Sequence, residues 1–344
     1  MSTLAVREAA TRDARRTLSR SAHHRLLVGA LAVLALGLAV TRALLGDMVI
    51  PVADAVAILR GEVIPGASFI LMESSLPRAV LGLLAGAAFG AAGAISQTVL
   101  RNPLASPDIV GVGMGASAAA VVGIVVLGVS GPALSLLAVA GALVVAVLVR
   151  VVAQSTGERL VLVGVGVSSV LSSVVHYLFT RADEHDTQLV LRWLTGSLGQ
   201  ADWSTIRWLV MTSVAAYVLL WLASRDLPAL QLGDDLALGL GGRRHAADLL
   251  LAVAVVVLAL AVAAVGPMAF VAFLAGPIAR ALDRGRPTIV GAALVGAVVV
   301  VAADLVGGHV IPDVHLPAGV VTGLTGAPVL LWLLTRGRTE GSLR

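Results

Sequence analysis

Long apolar runs alternate with short polar joints along the whole chain. Ten runs read as helices, near 26–46, 77–100, 107–128, 132–152, 160–180, 204–223, 246–266, 268–283, 287–306 and 317–335. Most approach the roughly 20 apolar residues that a helix needs to cross a ~30 Å hydrocarbon layer. The polar stretches between them fall at 47–76, 181–203, 224–245 and 307–316. The pattern predicts an all-α integral membrane protein of ten transmembrane helices. It has one domain, 26–336, flanked by cytoplasmic tails at 1–25 and 337–344.

One joint stands out. Residues 97–111 are polar and broken by Pro103 and Pro107 between two apolar runs. Irregular backbone at membrane depth must lie against protein or line a pathway.

Composition strengthens the membrane reading. Of 344 residues, 58% are hydrophobic and 13% charged, which leaves too little polar surface for a soluble globule. The run at 26–46 exceeds a signal-peptide core of ~7–15 residues and no clear cleavage site follows, so it reads as a retained first helix. All 24 basic residues are arginine. Without lysine the chain can form neither a Walker A phosphate site nor a Schiff base. Without cysteine it has no thiol nucleophile, thiolate metal site or disulfide.

Charge sets the orientation. With the amino terminus inside and ten spans, eighteen arginines fall on the cytoplasmic side. Six fall outside: Arg42, Arg60, Arg78, Arg181, Arg192 and Arg207. That bias obeys the positive-inside rule and accounts for the net charge of +4 without nucleic acid. Trp193, Trp203 and Trp208 gather at the outer boundary, Trp221 and Trp332 at the inner, as interfacial anchors do. Gly82, Gly86 and Gly90, with Gly93 beyond, and Gly319 with Gly323, have the small-residue spacing of close helix pairs. Gly111, Gly113 and Gly115 follow no strand and do not form a dinucleotide loop.

Candidate chemistry is thin. Asp304 is the acid set deep in a run, and a carboxylate there is functional by default or is satisfied by a neighbouring backbone or hydroxyl group. His176, His309 and His315 lie toward the outer face without the i, i+4 spacing of a helical metal site. The inner loop from Arg225 to His245 is long, with a short amphipathic stretch from Leu230 to Leu240. It is expected outside the core, either flat on the lipid surface or docked to a cytosolic protein. Leu232, Leu236 and Leu240 beside Asp234 and Asp235 suit a protein groove better than an anionic membrane.

Several segments match one family in order and spacing. They are Leu76-Pro77-Arg78, Gly93 through Gln97, Arg101-Asn102-Pro103-Leu104-Ala105-Ser106-Pro107 with Gly111, and Trp193 through Leu198. They continue with Gly233-Asp234-Asp235-Leu236-Ala237 and Leu240-Gly241, Gly266 through Val271, Ala303-Asp304, and Leu316 through Thr322 with Gly326-Ala327-Pro328. From the first helix onward the chain resembles the FecCD-type permeases, membrane subunits of ABC importers for iron–siderophore complexes, haem and vitamin B12.

The resemblance implies a type II ABC importer permease that pairs with a like subunit around a central path. Two cytosolic ATPases would grip Gly233, Asp234, Asp235, Leu236, Ala237, Leu240 and Gly241. An extracytoplasmic binding protein would dock at Arg78. Asn102, Pro103 and Leu104, with Ser155 and Thr156, would form the cytoplasmic gate. ATP and Mg would belong to the ATPases, leaving this chain without cofactor, metal or catalytic residue of its own. Three positions depart from the family pattern. Ser75 stands where an arginine often precedes Leu-Pro-Arg, Gly307-Gly308-His309 where another follows the aspartate, and Gly276-Pro277 where Pro-His or Pro-Gln is usual. The first two imply a heterodimer whose other subunit carries more of the docking charge.

The commonest cargo of the family, a ferric siderophore, is the expected one, ahead of cobalamin or haem. A path of small neutral side chains suits a preassembled chelate, whereas a bare ion wants carboxylate or imidazole ligands. A secondary transporter would show more midplane acids or interrupted coordinating helices, and an enzyme a catalytic constellation.

Overall fold

The structure, a computed structural model, describes residues 3–46, 48–102, 105–108, 111–154, 158–223, 227–230, 234–239, 243, 245–311 and 314–341. In chain order its helices are α1 (Thr3–Leu44), α2 (Val52–Leu59), α3 (Ala67–Phe69), a π-helical segment (Ile70–Ser75), α4 (Leu76–Val99), α5 (Val112–Val125), α6 (Gly131–Ala153) and α7 (Glu158–Phe179). Then come α8 (Glu184–Thr195), α9 (Trp203–Ala223), α10 (Leu227–Leu230), α11 (Asp234–Gly239), α12 (Ala246–Val265), α13 (Val271–Leu282), α14 (Ile289–Gly307) and α15 (Ala318–Gly341). The described residues form no sheet, only the isolated bridges Leu45–Val49 and Ile311–Val314.

A helix stands in each of the ten expected stretches. By length and composition six can cross a membrane: Ser21–Leu44, Ala67–Val99, Gly131–Ala153, Arg159–Phe179, Ala246–Val265 and Ile289–Gly307. Three apolar helices, Val112–Val125, Val271–Leu282 and Ala318–Trp332, are shorter.

The departures have local causes. Helix α5 starts at 112 rather than 107 because the proline joint runs on to Gly111, whose left-handed φ of 95° caps it. Helix α13 starts at 271 rather than 268 because Phe270 is itself left-handed, at φ 65°. The segment assigned to a tail joins α1 without a break, since residues 3–28 contain neither glycine nor proline to stop a helix. The polar stretch 47–76 holds α2, α3 and the π-helical segment. In a π turn the Met72 carbonyl would pair with the N–H five residues on, but that residue is Pro77, which has none, and the carbonyl accepts the indole N–H of Trp203 at 2.7 Å instead. Trp203 therefore binds inward and, with Trp193 and Trp208, packs against the core instead of serving only as a surface anchor.

Helix α4 is the axis of the bundle. Burial reaches 78% along the Ala67–Val99 helix but 17% along Arg159–Phe179, so α7 presents most of its surface outward. Helices α1, α12, α13 and α14 surround α4. The glycine stripe is the reason they come so close. A methyl group added at Gly86 would stand 2.5 Å from the Gly296 carbonyl oxygen, and one at Gly90 or Gly93 would collide with the carbonyl of Ala292 or Ala272. Backbone thus meets backbone along the α4–α14 and α4–α13 seams, where dispersion rather than water release holds membrane helices together. The second glycine pair is unequal: Gly319 abuts the Thr195 carbonyl, while Gly323 has only the Ala269 Cβ, 3.9 Å away.

Candidate functional site

At one end of the bundle a three-helix ion cluster is built from two helix ends and a buried acid. Arg42 lies in the last turn of α1, Arg78 in the first turn of α4, and Asp304 in the last turn of α14. Arg42 donates from Nε to Asp304 Oδ2 at 2.6 Å. Arg78 donates from Nη2 to Oδ1 at 2.7 Å and from Nε to Oδ2 at 2.9 Å, a bidentate fork. Asp304 has no exposed surface and the Arg78 side chain is 12% exposed. Two cations on one carboxylate leave net positive charge. Arg42 Nη1 and Ser75 Oγ are buried beside it without hydrogen-bond partners.

Asp304 is therefore satisfied, but by two arginines rather than by the backbone or hydroxyl partner expected. Arg42 was legible only as an outer-loop charge. The missed signal is the level of the three residues, each at an end of its apolar run.

The opposite end holds the proline joint. Helix α4 stops in a Schellman turn: Arg101 is left-handed at φ 50°, and the Asn102 N–H returns to the Gln97 carbonyl at 3.1 Å. Ala105, Ser106 and Pro107 are buried, so this part of the joint lies against protein. Leu100 packs beside Val149, Ala153 and Leu160, which flank the α6–α7 turn. The end of α4 thus meets the end of α6 and the start of α7. Asn102 lines a cleft there with Gln97, Thr98, Arg101, Arg280, Gly285 and Pro287. Pro103, Leu104, Ser155 and Thr156 lie outside the described residues.

The long loop after α9 divides in two. Leu227 and Leu230 of α10 are buried in the main core, which corrects the expectation that the whole loop stays outside it: their apolar side chains dock α10 against α4. In α11, Leu236 is 60% and Leu238 46% exposed. Asp234, Asp235 and Ala237 belong to the same helix. Leu232, Gly233, Leu240 and Gly241 lie outside the described residues.

A fourth feature escaped the sequence reading. Along the exposed side of α7, Gly166, Ser169, Ser173, His176 and Thr180 recur at helical spacing. Ser169 Oγ donates to Val165 O at 2.9 Å, Ser173 Oγ to Ser169 O at 3.0 Å, and Thr180 Oγ1 to Tyr177 O at 2.7 Å. Each hydroxyl is satisfied by its own helix and still offers lone pairs outward. Small polar groups on an outward membrane face are a poor fit to lipid. The signal was present as Ser168-Ser169 and Ser172-Ser173 inside an otherwise apolar run.

A many-helix apolar bundle with an ion-clamped end, a proline-broken joint at the other and an exposed α11 gives the frame for the comparisons with known proteins. The chain belongs to the FecCD transport family, whose model matches residues 31–336. It is 36% identical over 273 residues to the Fe(3+)-citrate import system permease protein YfmE of Bacillus subtilis (strain 168), covering 77% of this chain and 82% of that one. It is also 36% identical over 280 residues to the vitamin B12 import system permease protein BtuC of Serratia proteamaculans (strain 568), covering 78% and 83%. The fold matches a solved inward-facing metal-chelate type ABC transporter with TM-score 0.79 and 24% identity, over 91% of this chain and 99% of that one. The protein is accordingly the permease subunit of an ABC importer of the iron-siderophore and vitamin B12 type.

Proposed function

We propose that this chain forms half of a conduit through which a ferric siderophore enters the cell. A paralogous permease supplies the other half, and two cytosolic ATPases bind Mg and hydrolyse ATP on its behalf. The observation that carries the reading is the α10–α11 segment. One end is buried against α4, and the other offers Leu236 and Leu238 to a partner. Force applied at α11 therefore reaches the axial helix through packed side chains. The polar stripe of α7 supports a water-accessible path between the two subunits, and the arginine bias supports placing α11 in the cytosol.

The Arg78 end is where a loaded binding protein docks in this reading. Two of the arginine charge units are held by one carboxylate, so an acidic partner meets a surplus of positive charge there. Relatives named for ferric citrate and for vitamin B12 both match at 36% identity, and ferric siderophore is chosen as the family's commonest cargo. Cobalamin or haem is the alternative.

Reconstitution tests the reading. Liposomes holding this chain, its paralogue and the ATPases should accumulate ferric siderophore from a loaded binding protein only with ATP. Accumulation by this chain alone under a proton or sodium gradient would overturn it. Growth of a deletion strain on single iron chelates, cobalamin or haem identifies the cargo.

A further inference from the structure

Helices α6 and α12 are tied together at both ends. At one end, Ser135 Oγ donates to the Ala263 carbonyl at 3.0 Å. That carbonyl cannot pair four positions on along its own helix, because Pro267 stands there and lacks an N–H. At the other end, Arg150 donates to Asp248 Oδ1 from Nη2 at 2.9 Å and from Nε at 3.2 Å. The two ties lie fifteen residues apart on each helix, about 22 Å of helix axis. Equal spacing sets the helices antiparallel and in register, with no slack for one to slide along the other.

Small side chains fill the face between the ties. Ala138 and Ala142 are fully buried in one cluster with Val253, Val257 and Leu260 of α12, and Ala146 packs against it. Such residues let two backbones approach closely.

Each end of the ion pair adjoins a segment that transport uses. Asp248 is in the first turn of α12, the helix that follows α11 with its outward Leu236 and Leu238. Arg150 is in the last turn of α6, and Leu160 of the next helix, α7, packs with Val145, Val149 and Ala153 of α6. With side chains 42% and 44% exposed, the pair adds little to stability. Its effect is geometric, since two N–H groups on one oxygen fix where the helix ends stand.

We propose that Arg150 and Asp248 are positioning residues of ATP-driven transport. They hold α6 and α12 as one rigid lever, which carries the ATPase stroke from the α11 side of the bundle to α7. The proposal rests on the reading above, in which α11 meets the ATPases and the α7 stripe lines the path.

The two charges also suit the dipoles of their own helices, an anion at the start of α12 and a cation at the end of α6. Exchanging them separates the pair from its members. Arg150→Asp with Asp248→Arg rebuilds the ion pair and sets both charges against their dipoles. The chain has no cysteine, so spin labels can be attached through Val152→Cys on α6 and Leu249→Cys on α12, both exposed. In micelles the full-length chain should give one narrow distance between the labels. Each reversal alone should broaden it, and the exchange should narrow it again.

In liposomes with the paralogue, the ATPases and loaded binding protein, each reversal should lower uptake per ATP hydrolysed about threefold or more. The exchange should restore most of the loss. If a reversal fails to fold, Arg150→Gln and Asp248→Asn, which remove charge without adding repulsion, should show the same broadening and the same fall. Reversals that match the wild type, or an exchange worse than either reversal, would overturn the proposal. A wild type that gives the narrow distance but no ATP-driven uptake would count against the conduit reading and not against the lever.

Discussion

Arg78 holds Asp304 through both carboxylate oxygens, 226 residues away in sequence, and so fastens the start of the axial helix to the end of α14. Arg42 approaches the same carboxylate from α1. The geometry makes Asp304 the common anchor of three helices in a place where water cannot substitute for it.

Replacing Asp304 with Ala should therefore cost about 3–5 kcal/mol, because two buried guanidiniums lose their counter-charge. Denaturant unfolding in micelles measures it. Combining Arg42→Met, Arg78→Met and Asp304→Leu should recover much of the loss, since breaking a buried ion group is costlier than replacing all of it with apolar side chains. If the triple variant is as unstable as Asp304→Ala, the cluster is not held together by charge.

The glycine seams predict a contrast between two substitutions of identical chemistry. Gly90→Ala should force α4 and α14 apart and cost about 1–3 kcal/mol as an overpacked contact does. Gly323→Ala, whose added methyl meets nothing nearer than 3.9 Å, should be nearly neutral. Unfolding of both in the same micelle gives the comparison.

In the loop after α9, two leucines should behave oppositely. Leu236→Asp leaves a 60% exposed position exposed, so the protein should fold normally and fail to co-purify with its ATPases. Leu230→Asp buries a carboxylate in the core and should destabilise the chain itself by about 3 kcal/mol or more. Pull-down and unfolding, read together, separate the roles.

Bulk on the α7 stripe should obstruct passage without harming the fold. Ser169→Leu with Ser173→Leu removes two hydroxyls that bond only to their own helix, so stability should change by about 0.5 kcal/mol or less. Uptake in reconstituted liposomes should fall about tenfold. Unimpaired uptake would move the path elsewhere.

The apolar runs disclosed the helices because burial in lipid demands length, and length is visible in a string of residues. The joint at 97–111 was legible for the same reason, its prolines interrupting an apolar pattern. The partner of Asp304 was not: Arg42 and Arg78 reach it from distant runs, and no local spacing records which helix ends meet. Leu227 and Leu230 looked like exposed loop residues because a four-residue helix has too short a period to reveal its buried side.

The widened turn at Ile70–Ser75 explains a regularity in the helix that contains it. Ala67, Leu71, Ser75 and Ala79 are all buried, one every fourth position. In an unbroken α-helix such a series would drift about 40° around the axis at each step, and its first and last members would point in quite different directions. Looser winding cancels the drift, so Ala67, Leu71 and Ala79 sit in one cluster with Val301. Deleting a single residue from that turn would swing everything ahead of it by about 100°. Leu71 would leave its cluster, and Met72 would aim its carbonyl away from Trp203.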